Sequence, residues 1–162
     1  MIKDSINKKE NNFLGIDNYL FGIGNFIKNI NLYKINNIKI IKCDAKKIIS
    51  KYIKNNSIYE IRIFFPDPWN KNKHKKRRLI NKIFIKQLLK ILEFNGTIHI
   101  ITDSLNYFEY ILDNFNYLLD KLNFFIKNII CYKNIFINTN FEKKSILKNN
   151  NIYYIYIQKN KF

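Results

Sequence analysis

The sequence is poor in the residues that punctuate or staple a fold. It has 2 cysteines, 2 prolines and 4 glycines in 162 positions, a single alanine and no valine. Cys43 and Cys131 lie far apart and lack metal-ligand spacing, so neither a disulfide framework nor a zinc site can be argued, and no other metal role has support. Both read as core thiols. No apolar run approaches the roughly 18 residues of a membrane span, and the first residues contain no apolar signal core. A soluble chain working in the cytoplasm is expected, with no membrane partner. Acidic residues are scarce too: 12 against 29 lysines and arginines, for a net charge of +17. Such a field attracts polyanions and makes nucleic acid a partner to consider, but charge alone does not separate nucleic acid from a membrane surface or from mere solubility.

Isoleucine (33), asparagine (27) and lysine (26) make up 86 of the 162 residues, as strong AT pressure on the codons would produce. The rare residues are therefore the informative ones. Average usage would give about 8 prolines and 11 glycines in a chain of this length. Both prolines and the only tryptophan instead fall within Pro66-Asp67-Pro68-Trp69, and two of the three arginines, Arg77 and Arg78, follow closely. Length predicts one domain over 1–162, with 1–11 irregular. A hydrophobic content of 47%, with 16% aromatics, is enough for a core and argues against disorder.

Hydrophobic patterning gives alternating strands and helices. Residues 13–17 read as a short buried strand, and 38–44, 59–65 and 97–102 as further strands. Helical stretches follow, through about Asn31, over 45–54, through Ile83 to Leu92 with Asn95-Gly96 as the stop, and from an N-cap at Ser104 to about Leu122. Residues 125–132 and 152–158 look like two closing strands around a polar segment, 138–151. This order predicts an α/β fold: a three-layer, mostly parallel sheet whose last strand runs antiparallel. In such sheets ligands sit beyond the carboxyl ends of the strands. Four strands end at an aspartate, namely Asp17, Asp44, Asp67 and Asp103. One alone would be a turn or cap residue; four on one edge point to a ligand site, and Asp17 is placed to accept two hydrogen bonds from a ribose diol.

The segment from Phe64 to Leu79, with Pro66-Asp67-Pro68-Trp69, Lys71, Lys73, His74, Lys75, Lys76, Arg77 and Arg78, closely resembles the signature of the bacterial tRNA (guanine-N7)-methyltransferase family. Agreement extends through Phe13-Leu14-Gly15-Ile16-Asp17, Cys43-Asp44-Ala45, Ile98-His99-Ile100-Ile101-Thr102-Asp103 and Thr139-Asn140-Phe141-Glu142. It covers nearly the whole chain from about Asn12. The resemblance implies a Rossmann-like class I sheet that uses S-adenosylmethionine as methyl donor and tRNA as substrate. It implies that Asp17 and Asp44 hold the ribose and adenine parts of that cofactor, and that Asp67 is the active-site acid, also beside the cofactor. Lys71, Asp103, Thr139, Asn140, Phe141 and Glu142 match substrate-binding positions, and Lys73, His74, Lys75, Lys76, Arg77 and Arg78 match an RNA-contacting stretch. Asn140 stands where the family usually has lysine.

The chemistry suits these residues. Guanine N7 is an unprotonated acceptor at neutral pH, so its attack on a sulfonium methyl needs no general base, and alignment and electrostatics can supply the catalysis. Methylation leaves positive charge on the base, which a carboxylate at Asp67 would favour in the transition state. His74 and His99 read as structural or contact-making residues.

The family's first strand and its Glu-x-Gly-x-Gly turn have no counterpart before Asn12, so the fold is expected to be N-terminally shortened, with a break in the hydrogen-bond ladder. Gly22-Ile23-Gly24 follows the Asp17 strand inside a predicted helix and is rejected as the cofactor loop. Three readings stay open: a shortened working enzyme, a tRNA-binding subunit or remnant without independent activity, and a truncated gene whose upstream codons encode the missing strand. Monomer and homodimer are both left open.

Overall fold

The computed structural model describes residues 1–122, 126–133 and 151–159. These form two compact units, Met1–Tyr52 and Ile53–Phe162, each with its own sheet.

The first unit opens with a correction. Residues 1–11, expected to be irregular, contain helix α1 (Ile2–Asn7). Local hydrogen bonds hold it: the Met1 ammonium lies 3.1 Å from Asp4 and the Ser5 hydroxyl donates to the Ile2 carbonyl at 2.7 Å. The Asn37 amide then donates to the carbonyls of Ser5, Lys8 and Asn11, adding a partner for backbone acceptors at and after the end of the helix. Strand β1 (Phe13–Asp17) pairs in parallel with β2 (Ile38–Lys42), Phe13 opposite Ile38 and Asp17 opposite Lys42. A parallel pair needs a crossover, and α2 (Leu20–Leu32) provides it. Gly22 and Gly24 lie within α2, as the sequence reading requires. After β2 comes α3 (Ala45–Tyr52).

The second unit carries strands β3 (Ile58–Phe64) and β4 (Leu92–Thr102), with a 3-10 helix (Asn72–Arg77) and α4 (Lys82–Ile91) between them. Helix α5 (Leu105–Leu122), β5 (Ile126–Lys133) and β6 (Tyr153–Lys159) follow. The sheet order is β3-β4-β6-β5. β3 and β4 are parallel, and β6 runs antiparallel to both β4 and β5, so the last strand is reversed as expected. β4, between two neighbours, is buried along Thr97, Ile98, Ile100, Ile101 and Thr102. β6 alternates: Ile155, Ile157 and Lys159 are buried while the residues between are partly exposed. Phe84, Ile85, Leu88 and Leu89 of α4 and Tyr107, Ile111, Phe115 and Leu118 of α5 complete this core.

Two local features of this unit have clear causes: the first corrects the sequence reading and the second was not read from it. Helix α4 stops at Ile91 and the chain enters β4 directly, so Asn95-Gly96 lies inside the strand and does not end the helix. The register shifts between Ile58–Leu92 and Glu60–Thr97, and Asn95 takes a φ of 63° at this bulge. Gly96 is required there because a Cβ would come within 2.8 Å of the Tyr59 carbonyl oxygen and 2.9 Å of that of Glu93. Second, Lys159 is buried, its Nζ donating to Asn56 Oδ1 and to the carbonyls of Leu89 and Leu92 at 2.7–2.8 Å. It thereby satisfies the carboxyl end of α4.

Among the described residues, β1–β2 and the four-stranded sheet are separate hydrogen-bonded sheets. No helix among them is long and apolar enough to cross a membrane, and none of their His, Cys, Asp and Glu side chains cluster in threes as metal ligands would.

Candidate active site

Each unit presents two aspartates just past the carboxyl ends of neighbouring parallel strands. In the first unit Asp17 closes β1 and Asp44 lies two residues beyond β2, and both are exposed. One oxygen of each does local work: Asp17 Oδ1 accepts from the Tyr19 N–H at 2.9 Å, and Asp44 Oδ1 from the Lys46 N–H at 2.8 Å. The turn-forming role weighed against a ligand role is therefore real at both positions. It is not exclusive, because a carboxylate offers about four acceptor sites. Cys43 bonds back from its N–H to the Asp17 carbonyl at 3.2 Å, holding the two strand ends in register.

In the second unit the chain leaves β3 through Phe65, whose N–H still bonds to Ile101 of β4 at 2.7 Å. It then turns through Pro66-Asp67-Pro68-Trp69. Phe65 and Trp69, at the two ends of the turn, have φ of 50° and 45°, a region that bulky side chains rarely occupy. Such a conformation persists only when its surroundings over-determine it. Two prolines restrict it from within. Arg78 restricts it from outside, donating from Nε to the Pro68 carbonyl at 2.8 Å. Asp67 stands exposed at the centre of this turn, and Asp103, half-buried, follows the carboxyl end of β4.

Arg78 corrects the sequence reading. It belongs to the stretch expected to contact RNA, yet it is 1% exposed. Its Nη2 donates to Asn106 Oδ1 at 2.7 Å, and its guanidinium carbon lies 4.8 Å from the ring centres of both Tyr107 and Tyr110. A group so enclosed is not presented to phosphate. The physical reason is the 3-10 helix, which turns Arg77 and Arg78 to different sides. Arg77 is exposed, its guanidinium 5.2 Å from the Trp69 ring centre. Lys73 and Lys76 are exposed, and His74 and Lys75 partly so; the His74 ring meets Trp69 edge-on at 5.6 Å. Lys71 is exposed just before this helix, and its carbonyl accepts from the His74 N–H. Thr139, Asn140, Phe141 and Glu142 lie outside the described residues.

Three side chains that support the turn escaped the sequence reading: Asn106, Tyr107 and Tyr110. Tyr110 follows Asn106 by four residues and Tyr107 by three, which sets it beside each of them on α5 and was the available signal. The α5 start is built as expected, Ser104 Oγ accepting from the Tyr107 N–H at 3.4 Å. The Tyr107 hydroxyl accepts from the Ile80 N–H at 3.0 Å, and burial pushes this phenol up to about 12, against the opposing pull of that bond and of Arg78. Behind the site, His99 on β4 contacts the Tyr154 hydroxyl through Nδ1 and Thr97 Oγ1 through Nε2. Burial lowers its pKa, with Glu60 opposing and Arg62 reinforcing. These are packing contacts, one of the two roles, structural or contact-making, read for His99.

A family model described as "Putative methyltransferase" matches residues 1–155. The tRNA (guanine-N(7)-)-methyltransferase of Buchnera aphidicola subsp. Acyrthosiphon pisum (strain 5A) is 40% identical over 146 residues, which is 90% of this chain and 56% of that protein. The chain thus spans little more than half the length of this curated relative. Among solved structures, precorrin-6y C5,15-methyltransferase from Geobacter metallireducens matches with a TM-score of 0.62 at 12% identity, over 96% of this chain and 71% of that one. A SAM-dependent O-methyltransferase from Thermotoga maritima matches with a TM-score of 0.53 at 12% identity, over 93% and 51%. At these identities the structures speak to the fold alone: the Rossmann-like class I methyltransferase fold.

Proposed function

The chain belongs to this methyltransferase family, and on that premise we propose that it takes part in S-adenosylmethionine-dependent methylation of a guanine N7 in tRNA, in the cytoplasm. The observation that carries the reading is the second unit's turn: an exposed carboxylate between two prolines, held in a strained conformation beside an exposed basic helix. The relative's name and the motif resemblance supply the substrate class.

The first unit's residues fit the adenosine part of the cofactor. Asp17 and Asp44 keep acceptor capacity beyond their single turn bonds, and they stand past the ends of adjacent parallel strands, where hydroxyl and amino donors of a nucleoside can reach carboxylates. When bound, S-adenosylmethionine supplies a methyl group on a sulfonium sulfur. Lys73, Lys75, Lys76 and Arg77 would attract and orient the RNA backbone, while Lys71 and Asp103 flank the base. Asp67 would stabilise positive charge as it develops on the guanine, a role that needs an ionised carboxylate and no proton transfer. Thr139, Asn140, Phe141 and Glu142 are proposed substrate contacts from the resemblance alone.

A second reading is tRNA binding without independent transfer, favoured by the exposed basic helix of the second unit, which needs no cofactor to attract RNA. One experiment separates the two. Unmodified tRNA is incubated with the chain and methyl-labelled S-adenosylmethionine, and label is sought at guanine N7. Transfer that Asp67→Asn abolishes supports the enzyme reading; tight tRNA binding without label supports the second.

A further inference from the structure

We propose that Arg78 is a positioning residue: it holds the Pro66-Asp67-Pro68-Trp69 turn against the start of α5 and so sets where the Asp67 carboxylate points. In its turnover arm this inference rests on the function proposed above; in its spectroscopic arm it does not.

The geometry is specific to a guanidinium. One planar group makes two directed bonds, from Nε to the Pro68 carbonyl and from Nη2 to Asn106 Oδ1, while lying against Tyr107 and Tyr110. Pro68 adjoins Asp67 in the chain, and Asn106 lies three residues after Asp103. Arg78 therefore ties the segment that follows β3 to the segment that follows β4. A lysine could keep the charge and some ring contact. It has no fork to reach both acceptors. The retention of arginine in a chain with 26 lysines and 3 arginines fits that requirement. The strained φ values at Phe65 and Trp69 explain why the turn needs an external tie. Arg77, one residue earlier, faces outward over Trp69 and makes the contrast internal to the molecule.

The test uses the only tryptophan in the chain, Trp69, which sits at the end of the turn and reports on it alone. Arg78→Lys should shift Trp69 emission and raise its quenching by acrylamide, while far-UV circular dichroism stays that of the wild type. In the methyl-transfer assay the same variant should lose turnover by about a hundredfold, as expected when a reacting group is displaced by an ångström or so, with tRNA affinity changing far less. Asn106→Leu, which removes one of the two acceptors and leaves the arginine in place, should move both readouts in the same sense by less. It also decides the matter if Arg78→Lys fails to fold. Unchanged emission, unchanged turnover, or a loss of tRNA affinity as large as the loss of turnover would each overturn the proposal. The last would return Arg78 to phosphate binding. If the wild type transfers no methyl group, the functional reading falls and the emission arm alone decides the role of Arg78.

Discussion

Lys159, the last residue of β6, donates from Nζ to the carbonyl oxygen of Leu92, the first residue of β4, at 2.7 Å. The same ammonium reaches the Leu89 carbonyl and Asn56 Oδ1, so three acceptors, two of them at the end of α4, share one buried cation. Replacing it with methionine keeps the stem and strands the acceptors. Lys159→Met should therefore lower stability by about 2 kcal/mol or more, since each buried acceptor left unmet costs about 1–3 kcal/mol. Chemical denaturation followed by circular dichroism measures it; a change within a few tenths of a kcal/mol would mean that water replaces the ammonium.

Asp67→Asn should lower turnover by about a hundredfold or more with little change in tRNA affinity, because the amide keeps the shape and loses the charge aimed at the transition state. Single-turnover rates alongside filter-binding affinities separate the two effects. Equal rates for wild type and variant would remove Asp67 from the mechanism.

The exposed part of the basic stretch should carry RNA affinity. Changing Lys75, Lys76 and Arg77 together to glutamate should abolish tRNA binding, and wild-type affinity should fall with salt at a log-log slope of roughly −0.7 to −0.9 per phosphate neutralised. Arg78 is left out of this set because it is buried. Salt-insensitive wild-type binding would contradict the assignment.

Cofactor binding should depend on the first unit. Asp17→Asn and Asp44→Asn retain an oxygen for the turn bonds to Tyr19 and Lys46 but lose the negative charge. Each should weaken S-adenosylmethionine binding by about tenfold or more, as the loss of a hydrogen bond to a charged group would. Titration calorimetry gives the constants, and unaltered binding in both variants would leave these residues as turn formers only.

His99 gives a pH prediction with a definite sign. Burial lowers its pKa below the ordinary 6.5, Glu60 pulls it up and Arg62 pushes it down, with the Thr97 and Tyr154 hydroxyls in contact. Below 6.5 the unfolded chain takes up a proton that the folded chain resists, so stability falls as pH drops through that value and levels off below the folded pKa. Melting temperatures between pH 7.5 and 5 should show this decline in the wild type and a weaker one in His99→Gln. Parallel profiles would place the titration elsewhere.

Much of this molecule was legible in its sequence because the patterns involved are local. Alternating strands and helices follow from hydrophobic period. The reversed last strand was expected because the polar sequence between the two closing strands does not read as a full crossover helix, and the Pro66-Asp67-Pro68-Trp69 turn stands out because its residues are so rare elsewhere in the chain. The aspartates at strand ends follow from the same alternation. Helix α1 was missed because it is short and part of what holds it, the Asn37 amide, lies far along the chain. The end of α4 was misplaced because Asn95-Gly96 serves equally well as a stop signal and as a bulge; only the closeness of Tyr59 on the paired strand chooses. The tertiary structure alone decided between Arg77 and Arg78. Two adjacent arginines are equivalent as charge, and their difference comes from which one the 3-10 helix turns toward Pro68, Asn106, Tyr107 and Tyr110, a juxtaposition of two segments 28 residues apart. Sequence determines which side chains could bind phosphate or tie a turn; packing determines which of them is left in water to do the first and which is enclosed to do the second.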